Sequence, residues 1–218
     1  MKNINNNTAI EAARFLLQIK AIKLNNENPF TWASGRKSPI YCDNRVTLSY
    51  PEIRTFIRQS FVKMANELYP DVDVIAGVAT GGIAQGVLVA QDMGKAFIYV
   101  RPEEKKHGLT NKIEGDVKSG QSVLVIEDLI STGKSSLQVV DALREKGCIV
   151  KGMLAIFTYQ LEVAALAFKE KDVELLTITN YDTLIKVAKQ ENYIKEDDIS
   201  SLSLWRENPE KWSDDRMK

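Results

Sequence analysis

Residues 123–135, VLVIEDLISTGKS, decide the fold of this chain. Four apolar residues, 123–126, are typical of a buried strand, and they lead directly into two acids, Glu127 and Asp128. A turn of small and hydroxyl residues follows, and a helical pattern runs over residues 137–146. The free N–H groups and the positive dipole end of such a helix bind phosphate well. Because two adjacent carboxylates can accept hydrogen bonds from sugar hydroxyls, the stretch predicts a site for a phosphorylated sugar.

A nucleoside triphosphate loop is the first alternative, because Gly133-Lys134-Ser135 resembles the end of one. That loop requires a glycine five positions before its second glycine. Asp128 occupies the position, and no glycine lies between Gly120 and Gly133. Two carboxylates there would also repel a triphosphate, so the triphosphate interpretation is disfavoured.

The second alternative is an ordinary capped helix that follows a buried strand. Serine and threonine do cap helices, so the turn alone would not decide the matter. Paired acids at the carboxyl end of a strand remain unexplained by capping, and this is the edge where open α/β sheets bind ligands. The sequence therefore favours a ligand site.

Alternating strand and helix patterns surround this stretch. The predicted strands are residues 72–78, 96–100, 122–126, 149–157 and 174–178, with helical segments between most of them. Such alternation predicts an α/β fold with a five-stranded, mostly parallel sheet flanked by helices and right-handed crossovers.

The ends of the chain are predicted to elaborate this core within a single domain, residues 1–218. Thr8 precedes a helical pattern, residues 30–43 form a turn-rich stretch, and Pro51 begins a helix that ends near Leu68. We expect about residues 1–50 to form an N-terminal segment, about 70–180 the α/β core, and about 195–218 a C-terminal helix docked on the surface with a frayed tail.

Composition limits the partners and the compartment. The 29 basic and 29 acidic residues cancel, so no global field favours nucleic acid or a membrane. Cys42 and Cys148 lie far apart without metal-like spacing, which predicts reduced thiols in a cytoplasmic protein. The polar first ten residues lack the apolar core of a signal peptide, and no apolar run is long enough to span a bilayer.

A second cluster of candidate residues follows the strand at 96–100. The segment RPEEKKHG, residues 101–108, opens a stretch with few aliphatic residues, and such long loops are usually functional or disordered. It contains His107, the only histidine of the chain, together with Arg101 and Lys105. We expect a mobile, anion-binding lid, because cations that close over a leaving group stabilise its developing charge.

Residues 123–135 resemble the phosphoribosyl-pyrophosphate (PRPP) motif of the type I phosphoribosyltransferases in the order of strand, acid pair and turn. The resemblance implies that fold, with Glu127 and Asp128 holding the ribose hydroxyls and the turn wrapping the 5′-phosphate. The PRPP-binding residues of the motif would be Glu127, Asp128, Leu129, Ile130, Ser131, Thr132, Gly133, Lys134 and Ser135.

The lid resembles, more narrowly, the catalytic loop of the orotate phosphoribosyltransferases. Arg101, Lys105 and His107 occupy matching positions, whereas Pro102 lies where many members carry another lysine. The resemblance implies that these three residues bind PRPP, that they act in catalysis with Asp128, and that the loop closes over the neighbouring subunit of a homodimer.

Two further turns support that resemblance. The SGRKSP stretch, residues 34–39, resembles the hood that covers the pyrimidine base, with Ala33 where many members have a lysine. Gly81 likewise replaces a lysine that many members carry in a pyrophosphate-binding turn. Ser131 matches a hydroxyl residue that contacts orotate, whereas the arginine that some members have near Tyr159 is absent.

The implied reaction is transfer of the 5-phosphoribosyl group from 5-phospho-α-D-ribose 1-diphosphate to orotate, giving orotidine 5′-phosphate and diphosphate in UMP biosynthesis. Mg²⁺ is implied as a cofactor bound through the substrate rather than by protein ligands. A purine-using phosphoribosyltransferase is one alternative. The other is a non-catalytic PRPP-sensing regulator, although no DNA-binding helix is evident in the first seventy residues.

Overall fold

The computed structural model describes residues 6–32, 34–102 and 112–217. The helices are α1 (Asn6–Gln18), α2 (Pro51–Leu68), α3 (Gly81–Met93), α4 (Lys134–Glu145), α5 (Glu162–Glu170), α6 (Tyr181–Gln190), α7 (Glu196–Glu207) and α8 (Pro209–Asp214). The strands are β1 (Ile22–Leu24), β2 (Phe30–Thr31), β3 (Lys37–Ser38), β4 (Ile40–Cys42), β5 (Val74–Val78), β6 (Ala96–Val100), β7 (Ile113–Glu114), β8 (Ser122–Ile130), β9 (Ile149–Thr158) and β10 (Leu175–Asn180). A 3₁₀ helix covers Asn44–Ser49.

A six-stranded sheet in the order β10-β9-β8-β5-β6-β7 forms the centre of the molecule. The first five of these strands are parallel, and β7 pairs antiparallel with β6 at one edge. The five predicted strands and the mostly parallel sheet are confirmed. Strand β7 was not predicted, because a two-residue strand is too short to show a periodic pattern.

Helices cover both faces of the sheet, as alternating side chains on each strand require. One buried cluster joins residues such as Ile75, Leu124 and Leu154 to α1, α2, α3 and α6. The other joins their sequence neighbours, such as Val74 and Val123, to α4 and α5. In the part of the chain that the structure describes, no helix is long and apolar enough to cross a membrane.

The two ends of the chain pack on one face of this core. β2 pairs with β3 and β1 with β4, and these short hairpins contain the hood, residues 30–43. The predicted docked helix at the C-terminus forms as α7 and buries Trp205, whereas the predicted frayed tail contains α8, which buries Trp212. These two tryptophans belong to the same buried cluster as α1 and α2, so the C-terminal segment completes the core.

Candidate active site

The carboxyl ends of β5 and β8 form a cavity of about 290 Å³. The two strands are neighbours in the sheet, so the turns that follow them lie side by side. The turn after β5 leads into α3, and the turn after β8 leads into α4. We call this the acid-pair cavity; its lining is Val78, Ala79, Thr80, Gly81, Glu127, Asp128, Leu129, Ser131, Thr132, Gly133, Ser135 and Ser136.

Both predicted acids line this cavity, but their surroundings differ. Strand β8 continues past them to Ile130, further than the predicted end at residue 126. Glu127 is only 5% exposed, and its Oε2 accepts a hydrogen bond from the Ser136 hydroxyl at 2.7 Å. Its Oε1 accepts a hydrogen bond from the main-chain N–H of Asp128 at 2.9 Å. Glu127 is thus held in place by the protein, while Asp128 is the less buried of the two acids.

The pKa values of both acids are raised above the usual carboxyl range. Burial is the main cause for Glu127, and the neighbouring charge of Asp128 adds to it. Burial also raises the pKa of Asp128, against the opposing effects of hydrogen bonding to Glu127 and the positive charge of Arg45. The site therefore favours a ligand that brings positive charge or hydroxyl donors to these carboxylates.

Asn44 connects the acid pair to the hood, and no sequence pattern predicted this role. Its side chain is 1% exposed, and Nδ2 donates to the main-chain oxygen of Asp128 at 2.6 Å. Its Oδ1 accepts a hydrogen bond from the Cys42 thiol at 3.3 Å. The last strand of the hood is in this way fixed relative to the second acid.

Gly81 lies directly against the carboxylate of Asp128. A Cβ atom at residue 81 would lie 2.2 Å from the Asp128 carboxyl carbon and 2.3 Å from its Oδ2. Any side chain at this position would therefore have to displace the acid. The absence of a lysine here is coupled to the position that Asp128 takes.

Two helix N-termini flank the acids. The first turn of α3 contains no acidic residue and receives no side-chain cap from Thr80. The same holds for α4, which begins after Gly133. Their first N–H groups are not occupied by capping side chains, so each helix can bind an anionic group. The cavity thus combines two anion-binding ends with an acid pair between them.

Four of the five residues predicted to form the phosphate cradle lie together at the acid-pair cavity. Ser131, Thr132, Gly133 and Ser135 line the acid-pair cavity, and Lys134 begins α4 with an exposed side chain. Leu129 also lines the cavity, whereas Ile130 is fully buried in the core and cannot contact a ligand through its side chain. Ser136, which fixes Glu127, was not predicted, because its hydroxyl lies within the first helical turn.

The lid residues fall largely outside the described residues: Lys105 and His107 lie within 103–111. Arg101 is described, and its Nε lies 3.8 Å from Glu114 Oε1, while its guanidinium lies 5.5 Å from the ring centroid of Tyr99. It does not line the acid-pair cavity of its own chain. Because the Arg101 N–H donates to the Lys112 main-chain oxygen at 2.8 Å, both ends of the loop lie side by side. Among the residues described, no group of three or more His, Cys, Asp or Glu side chains could hold a metal ion.

A second cavity, of about 350 Å³, lies under the hood and shares Ser131 and Thr132 with the first. Trp32, Arg36 and Lys37 form its hood side. Tyr159 is 2% exposed and packs against the Trp32 ring at a centroid distance of 5.6 Å. Tyr159 is therefore a core residue. We call the 350 Å³ cavity, which Trp32, Arg36 and Lys37 line, the hood cavity.

Known proteins match this architecture. Residues 50–188 match the family model described as phosphoribosyl transferase domain. The chain is 54% identical over 200 residues to the orotate phosphoribosyltransferase of Bacteroides fragilis, covering 92% of this chain and 94% of that protein. It is 52% identical over 206 residues to that of Streptococcus mutans, covering 94% and 99%. The crystal structure of orotate phosphoribosyltransferase from Aeropyrum pernix is similar, with a TM-score of 0.72, 27% identity, and coverage of 84% of this chain and 99% of that one.

A sheet whose carboxyl edge carries an acid pair between two free helix ends, together with the matched domain, defines a type I phosphoribosyltransferase. The fold and the family predicted from residues 123–135 are confirmed. The identity to relatives over nearly the whole chain is specific enough to go one step further. The chain belongs to the orotate phosphoribosyltransferase family.

Proposed function

We propose that this chain transfers the 5-phosphoribosyl group of PRPP to orotate, giving orotidine 5′-phosphate and diphosphate in pyrimidine biosynthesis. The observation that carries the proposal is the pair of uncapped helix ends on either side of Glu127 and Asp128. PRPP has two anionic groups separated by a ribose, and this is the order of binding groups along the cavity. The relatives named orotate phosphoribosyltransferase support orotate as the acceptor.

In this mechanism the α4 N-terminus and its hydroxyl turn hold the 5′-phosphate, while the α3 N-terminus receives the diphosphate. Asp128 accepts hydrogen bonds from the ribose hydroxyls, and Glu127 supports it from the buried side. N1 of orotate attacks C1′ as the bond to diphosphate breaks, through an oxocarbenium-like transition state. Catalysis then comes from positioning and from neutralising the leaving group, and Ser131 contacts the base.

Mg²⁺ fits these residues as a cofactor bound through the substrate. Asp128 and Glu127 are carboxylates of raised pKa, and nearby positive charge relieves such a pair. When bound, the cation would neutralise the diphosphate and make it a better leaving group. Asp128, supported by Glu127, would supply the negative charge that favours a cation beside the ribose.

The enzyme is proposed to act as a homodimer in which the lid of one subunit closes over the cavity of the other. Arg101 does not line the cavity of its own chain. Helix α3 carries apolar residues that are exposed or half-buried, among them Ile83, Val87 and Leu88. An apolar helix face of this kind suits a second copy of this chain. We also propose a cytoplasmic location, because Cys42 and Cys148 are free thiols.

Replacing Lys105 with alanine is expected to lower turnover roughly 10²-fold, which is about 2.7 kcal/mol of transition-state stabilisation. The variant would lack the contact between the lysine and the departing diphosphate, whose charge grows as the bond to C1′ breaks. Steady-state rates at saturating Mg²⁺ measure the effect, with Lys146→Ala at the end of α4 as a control. Unchanged turnover of Lys105→Ala would remove the lysine from the mechanism.

Mixing inactive variants tests the shared site. Hybrids of Lys105→Ala and Asp128→Ala subunits should recover part of the activity, since one of the two cavities then receives both an intact acid and an intact lid. Subunit-exchanged hybrids that remain inactive would place the lid within its own chain.

The acceptor itself is tested by incubating the protein with Mg²⁺, PRPP and orotate and following the loss of orotate absorbance. Uracil, hypoxanthine and adenine serve as parallel acceptors. We expect turnover with orotate. Turnover with a purine alone would assign the chain to the purine-using enzymes, and PRPP binding without turnover of any base would assign it to the sensing regulators.

A further inference from the structure

The hood and the two C-terminal helices lie on either side of the matched family segment. Residues 50–188 contain both helix ends and the acid pair of the phosphoribosyl site. The hood, residues 30–43, precedes this segment, and α7 and α8 follow it. We call α7 and α8 the C-terminal helix pair. These two additions are far apart in sequence, yet they are in contact with each other.

The hood depends on such contacts for its position. Its first hairpin pairs only Phe30 and Thr31 with Lys37 and Ser38, and isolated two-stranded hairpins are marginal in water. The main-chain N–H of Lys37 donates to the Ser213 hydroxyl of α8 at 2.9 Å, and Ser213 is fully buried. Beside this bond, Arg36 Nη1 lies 2.6 Å from Glu210 Oε1.

An aromatic cluster forms the second connection. Trp205 of α7 is 1% exposed and packs edge-on against Trp32 of the hood at a centroid distance of 5.9 Å. The same ring lies 5.5 Å from Tyr159 and 5.5 Å from Tyr181, at the ends of β9 and β10. Trp205 thus contacts both the hood and the ends of β9 and β10, so it fixes the hood relative to this edge of the sheet.

The hood cavity lies between these parts. Trp32 and Lys37 line it from the hood, Trp205 and Asn208 line it from the C-terminal helix pair, and Ser131 lines it from the phosphate turn. The Trp32 ring offers an aromatic wall to a planar heterocycle. The charged lining contains three cations and three acids: Arg36, Lys37, Arg206, Glu162, Glu207 and Glu210. Ser131 connects this cavity to the acid-pair cavity, so a ring bound here lies next to the phosphoribosyl site.

We propose that the C-terminal helix pair positions the hood for the acceptor base, with Ser213 and Trp205 as positioning residues. Neither residue is required to hold PRPP, because neither lines the acid-pair cavity. Loss of either contact displaces the hood and weakens acceptor binding selectively. The inference rests on the proposed function only in requiring an acceptor base beside the ribose.

The test compares KM values for the two substrates in Ser213→Ala, Trp205→Phe and the control Ser203→Ala, whose side chain is exposed on α7. We expect Ser213→Ala and Trp205→Phe to raise KM for orotate roughly 5- to 20-fold, with KM for PRPP and kcat within about 2-fold of the parent. Ser203→Ala should change neither KM. Glu210→Gln, which loses only an exposed ion pair to Arg36 and removes one acid from the lining of the hood cavity, should leave KM for orotate within about 2-fold of the parent.

A merely structural role gives a different result. If the substitutions lower the melting temperature and leave both KM values unchanged, or raise both KM values together, the C-terminal helix pair does not position the acceptor. If the enzyme uses another base, the same split is measured with that base, so an error in the acceptor and an error in this inference are distinguished.

Discussion

Replacing Gly81 with alanine is expected to lower kcat/KM for PRPP by about 10²- to 10³-fold while the protein stays folded. The added Cβ would lie 2.2 Å from the carboxyl carbon of Asp128, so that side chain must turn away from the cavity. Nothing in the backbone resists alanine at residue 81, because its φ is not among the positive values. The loss therefore falls on the acid and on the α3 anion site beside it.

The adjacent Gly82 provides the matched comparison. A Cβ there would lie 2.3 Å from the main-chain oxygen of Ile126, which belongs to the central strand β8 and cannot move aside. Gly82→Ala should therefore destabilise the fold by about 3 kcal/mol, which lowers the melting temperature by roughly 6–12 °C. Thermal unfolding and steady-state kinetics on both variants separate the two effects. A Gly81→Ala enzyme with normal kinetics would mean that Asp128 does not hold the ribose from its present position.

The difference between these neighbours shows why the site was only partly predictable. The strand, the acid pair, the hydroxyl turn and α4 are contiguous in sequence, so the periodicity and residue types of residues 123–135 were sufficient to predict them. The contact between Gly81 and Asp128 joins two strand ends that are far apart in sequence. A glycine in a turn indicates that the backbone there can adopt unusual conformations. It does not indicate which side chain occupies the space beside it.

The C-terminal segment shows the same limit. Its charges and its tryptophans together predicted one docked helix and a frayed tail. The tail instead forms α8 and buries Trp212, since burial of large aromatic rings dominates packing energetics. The partners of Trp205, which are Trp32, Tyr159 and Tyr181, come from three other parts of the chain, and one sequence does not reveal such pairings.

Asp128→Asn is expected to reduce kcat about 10³-fold, roughly 4 kcal/mol, whereas Glu127→Gln should reduce it by about 10-fold or less. The two acids are equivalent in the sequence pattern, but they differ in burial in the structure. Both oxygens of Glu127 already accept hydrogen bonds from Ser136 and from the Asp128 main chain. Glutamine keeps this geometry, because its Oε1 accepts from the Asp128 N–H and its Nε2 donates to the Ser136 hydroxyl. In the proposed mechanism the Asp128 carboxylate accepts hydrogen bonds from the ribose, and an amide there removes its charge.

Glu127→Gln should raise the free energy of unfolding, although it lowers kcat. Burial raises the pKa of Glu127 in the folded protein, so the folded state binds a proton that the unfolded state releases. The stabilisation is therefore present below the ordinary carboxyl pKa and is lost as the pH rises through the folded-state value. Glutamine carries no charge, so this loss is absent in the variant.

Urea unfolding of parent and Glu127→Gln at pH 5 and pH 8 measures the consequence. We expect the variant to be more stable than the parent at pH 8, with a smaller advantage at pH 5. An equal difference in stability between variant and parent at both pH values would mean that the pKa of Glu127 is not raised in the folded protein. A gain in stability with only a small loss of kcat, beside the large loss for Asp128→Asn, would assign the charge that stabilises the transition state to Asp128 and a supporting role to Glu127.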